Sequence, residues 1–134
     1  RNVERLDELL TVAPSRLRWA VELRDPSWVH DDVFDVLSRH DAALVLHDLL
    51  PEQPWERTAS WTYLRFHGPH ATTNTYRGRY TGRRLWRIAE RLEPWIDDGT
   101  DVYGYFNNDV DGAAVLDAQW LRDRLDADRR ASIR

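Results

Sequence analysis

Short strand-like runs alternate along this chain with segments of helical periodicity, and that alternation is the strongest constraint on its fold. Residues 3–10 place Val3, Leu6 and Leu10 on one face, as the end of a helix does, and Pro14 and Ser15 close it. Residues 17–23 (LRWAVEL) read as a strand. Asp31 offers an N-cap for a helix over 32–40, with Val33, Phe34, Val36 and Leu37 as its apolar face. Residues 42–47 (AALVLH) form the continuous apolar run of a buried parallel strand. Residues 61–67 and 102–107 supply two further strands. Between them Thr81 caps a helix reaching residue 97, with Leu85, Ile88, Leu92 and Trp95, or their neighbours Ala89 and Ile96, turned inward. Gly99 stops it. A last helix carries Val115, Leu116, Ala118, Leu121 and Leu125 on its face, with Asp109 or Asp111 as cap. One interval breaks the rule: residues 49–60, with Pro51 and Pro54, show no helical stripe and read as a loop.

Strands alternating with helices imply right-handed crossovers and a parallel sheet. Four such units in 134 residues are half of an eight-unit barrel, which takes roughly 250 residues. The expected fold class is therefore α/β: the C-terminal half of a TIM-like parallel β/α barrel, with residues 1–134 a single domain fragment. A start at Arg1 and the lack of any Met agree with a fragment whose N-terminal half lies elsewhere. A half-barrel leaves two open strand edges, which proteins usually avoid. An open flavodoxin-like sheet is the competing architecture.

Composition narrows the chemistry. The chain is 42% hydrophobic and 31% charged, as folded globular proteins are. No apolar stretch approaches the roughly 20 residues that span a bilayer, and no signal pattern opens the chain, so a cytoplasmic location with no membrane partner is expected. With no Cys, disulfides, thiolate metal sites and cysteine nucleophiles are excluded. All 19 basic residues are Arg, so lysine Schiff-base chemistry is excluded within this segment, and every cation is a planar fork suited to carboxylate or phosphate. The net charge of −4 weighs against a dedicated nucleic-acid binder.

Parity within the strands locates a rim, because successive side chains point to opposite faces. Trp19, Val21 and Leu23 oppose Ala20, Glu22 and Arg24. Thr62, Leu64 and Phe66 oppose Tyr63, Arg65 and His67. Val102, Gly104 and Phe106 oppose Tyr103, Tyr105 and Asn107. In each strand the second set turns polar toward the C-terminal end, the end at which barrel active sites sit. The inward set is then Glu22, Arg24, Tyr63, Arg65, His67, Tyr103, Tyr105 and Asn107, joined by His47 and Asp48 from the second strand. Such buried charges must pair with one another or with a ligand, so a structural ion-pair network and a binding site are equally consistent with the pattern.

The strings AVELRDPSW (20–28), YLRFHG (63–68), Y-x-GRY (76–80) and YGYFNND followed by GAA (103–114) resemble, in order and spacing, the domain-of-unknown-function 72 family, the YecE-like proteins. The likeness covers essentially the whole chain and the C-terminal half of the family domain. It implies a TIM-like barrel in a cytoplasmic bacterial protein and no established reaction. Its motif positions fall here on Glu22, Arg24, Trp28, Arg65, His67, Gly68, Tyr76, Tyr80, Asn107 and Asn108.

Several chemistries compete at this rim. Glu22, Asp48, His47, His67 and His70 are metal-type donors, but Arg24 and Arg65 beside them repel a cation, and no metal or other cofactor is assigned. NNDVDG (107–112) imitates the start of a calcium loop but has Ala118 where the bidentate Glu belongs. No nucleophile elbow, phosphate loop or dinucleotide motif occurs. For acid–base catalysis the candidates are Glu22, if desolvation raises its pKa, with His67 and Asp48; the competing reading of His67 is a hydrogen-bonded core histidine. For ligand binding the candidates are Arg24, Arg65, Asn107 and Asn108, with Tyr76, Tyr80 and Trp28 to stack on a sugar or base, and Arg77 and Arg79 on a lid-like loop at 68–80. The favoured reading is recognition of a small anionic, phosphorylated or sugar-like ligand, by a hydrolase or isomerase if the protein is an enzyme. The alternative is a non-catalytic binder of nucleic acid or another anion.

Overall fold

The computed structural model describes residues 1–52 and 54–132. Helix α1 (Val3–Val12) turns Leu6 and Leu10 inward, and Asn2 caps it by accepting the Arg5 N–H at 2.9 Å. Strand β1 is short, Ala20–Val21, although the Trp19 carbonyl extends the pairing by accepting the Ala43 N–H at 2.8 Å. The apolar run at 17–23 therefore overstates the ladder. A single 3-10 turn, Pro26–Trp28, separates it from helix α2 (Asp31–Arg39). His30, not Asp31, occupies the N-cap of α2, and it makes no side-chain cap bond; Asp31 is already helical.

Strands β2 (Ala43–His47), β3 (Trp61–Phe66) and β4 (Asp101–Phe106) complete a four-stranded sheet in the order β1-β2-β3-β4, with every neighbouring pair parallel. Register sets Val21 beside Leu44, His47 beside Arg65, and Arg65 beside Tyr105. The strand–helix alternation lapses between β2 and β3. There the chain runs irregularly and is clasped at its far end: Thr58 Oγ1 donates to the Ala42 carbonyl at 2.7 Å and accepts the Leu44 N–H at 2.8 Å.

Helix α3 (Gly82–Asp97) is capped by Thr81 and buries Leu85, Ile88, Ala89 and Leu92. Gly99 follows it with φ +81°, the left-handed conformation that helix stops favour. Helix α4 (Ala113–Ser132) differs from its apolar count. Val115 and Leu116 face outward, and the buried stripe is Ala113, Ala114, Asp117 and Leu121. Neither Asp109 nor Asp111 caps it; the Asn108 carbonyl accepts the Ala114 N–H at 3.0 Å, and Asp111 sits at φ 60° in the preceding turn.

One core results. Leu44, Leu46, Leu64 and Phe66 from the sheet pack with Leu6 and Leu10, Val33, Val36 and Leu37, Leu85, Ile88 and Leu92, and Leu121 of the four helices. Each such fully buried aliphatic side chain contributes about 1.5–3 kcal/mol. The helices thus share one face of the sheet. The other face carries Tyr63 and Arg65, half-buried, and Tyr103 and Tyr105, exposed. Tyr63 and Tyr105 stack there, with ring centroids 5.0 Å apart. Among the described residues no helix is long and apolar enough to cross a membrane.

Candidate functional site

Four residues of one parity meet at the C-terminal end of the sheet. Glu22, just past β1, accepts from Arg24 Nε at 2.6 Å through Oε1 and from Arg65 Nη1 at 2.7 Å through Oε2. Arg65 Nε also donates to Asn107 Oδ1 at 3.3 Å. The Arg65 guanidinium is therefore held between β1 and β4 while its own backbone is fixed in β3. Burial pushes the Glu22 carboxyl pKa up, but the hydrogen bonds and charges of Arg24 and Arg65 outweigh it and the pKa ends below its ordinary value. Glu22 is thus lowered rather than raised, as the shared anion that contacts two guanidiniums. Arg24 and Arg65 keep 60% and 30% of their side chains exposed against 14% for Glu22, so the accessible charge at this corner is positive.

Two histidines behave differently. His47 is satisfied at both nitrogens: Nδ1 accepts the Leu49 N–H at 3.2 Å, which leaves Nε2 to donate to the Leu23 carbonyl at 2.9 Å. Its pKa is lowered, chiefly by burial. His67 lies just past the end of β3 and is completely buried. Its backbone N–H donates to Asp48 Oδ1 at 2.8 Å, and its ring Nδ1 lies 3.2 Å from the same oxygen. A carboxylate only accepts, so Nδ1 carries a proton, and in the neutral ring Nε2 is the acceptor. Among the described residues that buried Nε2 has no hydrogen-bond partner.

Asp48 joins this corner to the loop at 68–80. Its Oδ2 accepts a short hydrogen bond from the Tyr80 hydroxyl, which itself accepts the Gly68 N–H at 2.6 Å. Burial, reinforced by Asp48, drives the Tyr80 pKa far upward, so its proton stays in place. The far end of the loop is fixed by Asp117, fully buried in α4, which accepts from the Tyr80 N–H at 3.1 Å, Asn108 Nδ2 at 2.8 Å and Arg79 Nε at 3.3 Å. Gly68, at φ +126°, is required here: a Cβ would stand 2.6 Å from the Arg77 carbonyl oxygen.

These positions correct several expected ligand contacts. Tyr80 is buried, edge-on to Phe66 and Phe106, and offers no ring face for stacking. Trp28 packs against the core beside Leu23 and α1, away from the rim. Asn108 is fully buried and donates to the Gly78 carbonyl at 2.7 Å, so it anchors the loop rather than facing outward. Arg79 is tied to Asp117. Tyr76 does reach the corner: it is exposed, and its ring centroid lies 5.8 Å from that of His67. Asp117 is the organising residue that strand parity does not reach; its one sequence signal is an acidic residue inside the stripe Ala113, Ala114 and Leu121. Among the described residues no three His, Asp or Glu side chains converge as metal ligands do.

The family model described as "Protein of unknown function DUF72" matches residues 1–133. A crystal structure of a DUF72 family protein from Thermotoga maritima superposes with a TM-score of 0.79 at 26% identity, covering 92% of this chain and 51% of that one. One from Enterococcus faecalis gives 0.77 at 21% identity, covering 92% and 52%, a likeness of fold. The chain thus spans about half the length of these solved relatives. No curated protein matches it.

Proposed function

The chain belongs to the DUF72 family, and from that premise we propose that it is one half of a TIM-like barrel whose strand-end rim binds a small anionic ligand, phosphorylated or sugar-like, through Arg65 and Arg24. Support for the barrel comes from topology. The strands run in simple chain order with all helices on one face, whereas a doubly wound sheet reverses its strand order and is covered on both faces. The polar tyrosine and arginine face is then the barrel interior.

The observation that carries the ligand reading is the fixing of Arg65 by two acceptors, Glu22 and Asn107, on two other elements. A guanidinium so held is preorganised for a bidentate anion contact, and little side-chain entropy remains to be lost on binding. Arg24 adds a second fork on the same carboxylate. Among the described residues Arg77 has no ion pair, and it projects from the loop above.

Titration calorimetry of the full-length protein with inorganic phosphate tests this. Arg65→Ala should weaken binding by about 2 kcal/mol, the range of a hydrogen bond to a charged group, while Arg83→Ala on exposed α3 surface leaves it unchanged. Equal affinities for folded wild type and Arg65→Ala would mean that Glu22, Arg24 and Arg65 are a structural network. Binding of short oligonucleotides alone, with steep salt dependence, would favour the nucleic-acid alternative.

A further inference from the structure

The rim reading leaves one group unused. The His67 ring is wholly buried, oriented by a carboxylate and yet unfinished. Asp48 Oδ1 accepts from Nδ1–H, and among the described residues Nε2 has no hydrogen-bond partner. Neighbouring His47 shows what a structural histidine looks like here, since both its nitrogens are satisfied within the fold. An unmet buried acceptor is unfavourable, and Asp48 with the buried Tyr80 holds this one in place.

The aromatic neighbour of this imidazole also stands out. Tyr76, 47% exposed, holds its ring beside the imidazole from a backbone at φ 70°, a left-handed conformation unfavourable for a tyrosine. Its N–H donates to the His67 carbonyl at 2.6 Å, which fixes the turn, while its side chain has no hydrogen bond among the described residues. The neighbour is thus an exposed aromatic ring on a hydrogen-bonded turn.

Distance links this nitrogen to the anion site. His67 follows Arg65 by two residues, one position past the end of β3, about 6.6 Å along an extended backbone. The charged group and a distal hydroxyl of a sugar acid or sugar phosphate span a similar reach. We propose that the ligand is a polyhydroxylated anion: its charged group rests on Arg65 and Arg24, and one of its hydroxyls donates to Nε2 of His67 once the Tyr76 ring swings aside. Tyr76 then lies against the carbon face of the bound sugar. The assignment rests on the rim reading above and adds a donor requirement to it.

Nitrogen-15 NMR of the His67 ring in the full-length protein, titrated with inorganic phosphate, ribose 5-phosphate and gluconate, tests the assignment. Inorganic phosphate should bind without moving the Nε2 resonance. At least one of the two sugar anions should shift Nε2 toward the position of a hydrogen-bonded acceptor and bind roughly tenfold tighter than its hydroxyl-free counterpart, phosphate or acetate. Which one does so identifies the charged group. His67→Phe should erase that tenfold increment and keep phosphate binding. Tyr76→Ala should raise the rate at which diethyl pyrocarbonate modifies His67 in the free protein. Phosphate binding that depends on Arg65, with an Nε2 signal unmoved by either sugar anion, overturns this inference and leaves the rim reading intact. No binding of any of these anions overturns both.

Discussion

Glu22 and His47 lie on the same face of the sheet and are perturbed in the same direction for opposite reasons. Two guanidiniums hold Glu22 ionised against its burial, and burial holds His47 neutral. Each has a folded-state pKa below its ordinary value, so each contributes stability that is present at higher pH and lost as pH falls. For His47 the loss begins near its ordinary value of 6.5; for Glu22 it begins near 4.5. Urea unfolding followed from neutral to acid pH should show two successive declines. His47→Gln should remove the upper one and Glu22→Gln the lower. A profile that is flat through the upper window in wild type would contradict the His47 assignment. Strand alternation makes Glu22, Arg65 and Asn107 legible as one set, because parity is enforced by the pleat. It no longer applies once the chain turns, as at Gly68, beyond which Tyr80 enters the core.

The loop at 68–80 behaves as part of the scaffold rather than as a loose lid. Tyr80, at its C-terminal end, is held through its hydroxyl by Asp48 and through its N–H by Asp117, and the same hydroxyl accepts the Gly68 N–H at the other end. Asp117→Ala strands the Tyr80 N–H and the Asn108 amide in the interior and should destabilise by about 2–4 kcal/mol. Gly68→Ala should cost a similar amount, because its Cβ meets backbone that cannot move aside. Gly99→Ala serves as the control. Its φ is also left-handed, but no atom lies within 4 Å of the added Cβ, so about 1 kcal/mol is expected. Chemical denaturation of the three variants checks the ranking; equal losses for Gly68→Ala and Gly99→Ala would show that the Arg77 carbonyl yields. The inner face of α3 is readable because its apolar stripe and its buried stripe coincide. That of α4 is not, since its inner face uses two alanines and a buried aspartate while Val115 and Leu116 face out.

Among the described residues, no helix covers the sheet face opposite the core and no strand pairs with the outer edges of β1 and β4. Tyr103, Tyr105, Trp19 and Leu17 are all exposed at or near these borders, and β4 has no neighbour on its outer side. Unpaired edges and apolar patches of this kind drive association. Sedimentation of these residues alone should therefore show concentration-dependent self-association, and a stable monomer that unfolds cooperatively would argue that the sheet needs no complement. The four strands and their parallel order are legible because each unit is written locally in the sequence. Closure into a barrel depends on what meets the outer strands, and that lies beyond any local pattern.

The lapse in alternation between β2 and β3 also has a bearing on time. These two strands are joined by residues 48–60, while β1 and β2 are separated by 22–42, and β3 and β4 by 67–100. The entropy of closing a chain segment rises with its length, and early contacts favour the shortest closure. The β2–β3 pair, clasped by Thr58, is then the natural nucleus, and mutations there should slow folding while those in β4 mainly speed unfolding. Asp48, Arg65 and His67 all border that pair, so this polar corner would be assembled before the sheet around it is complete.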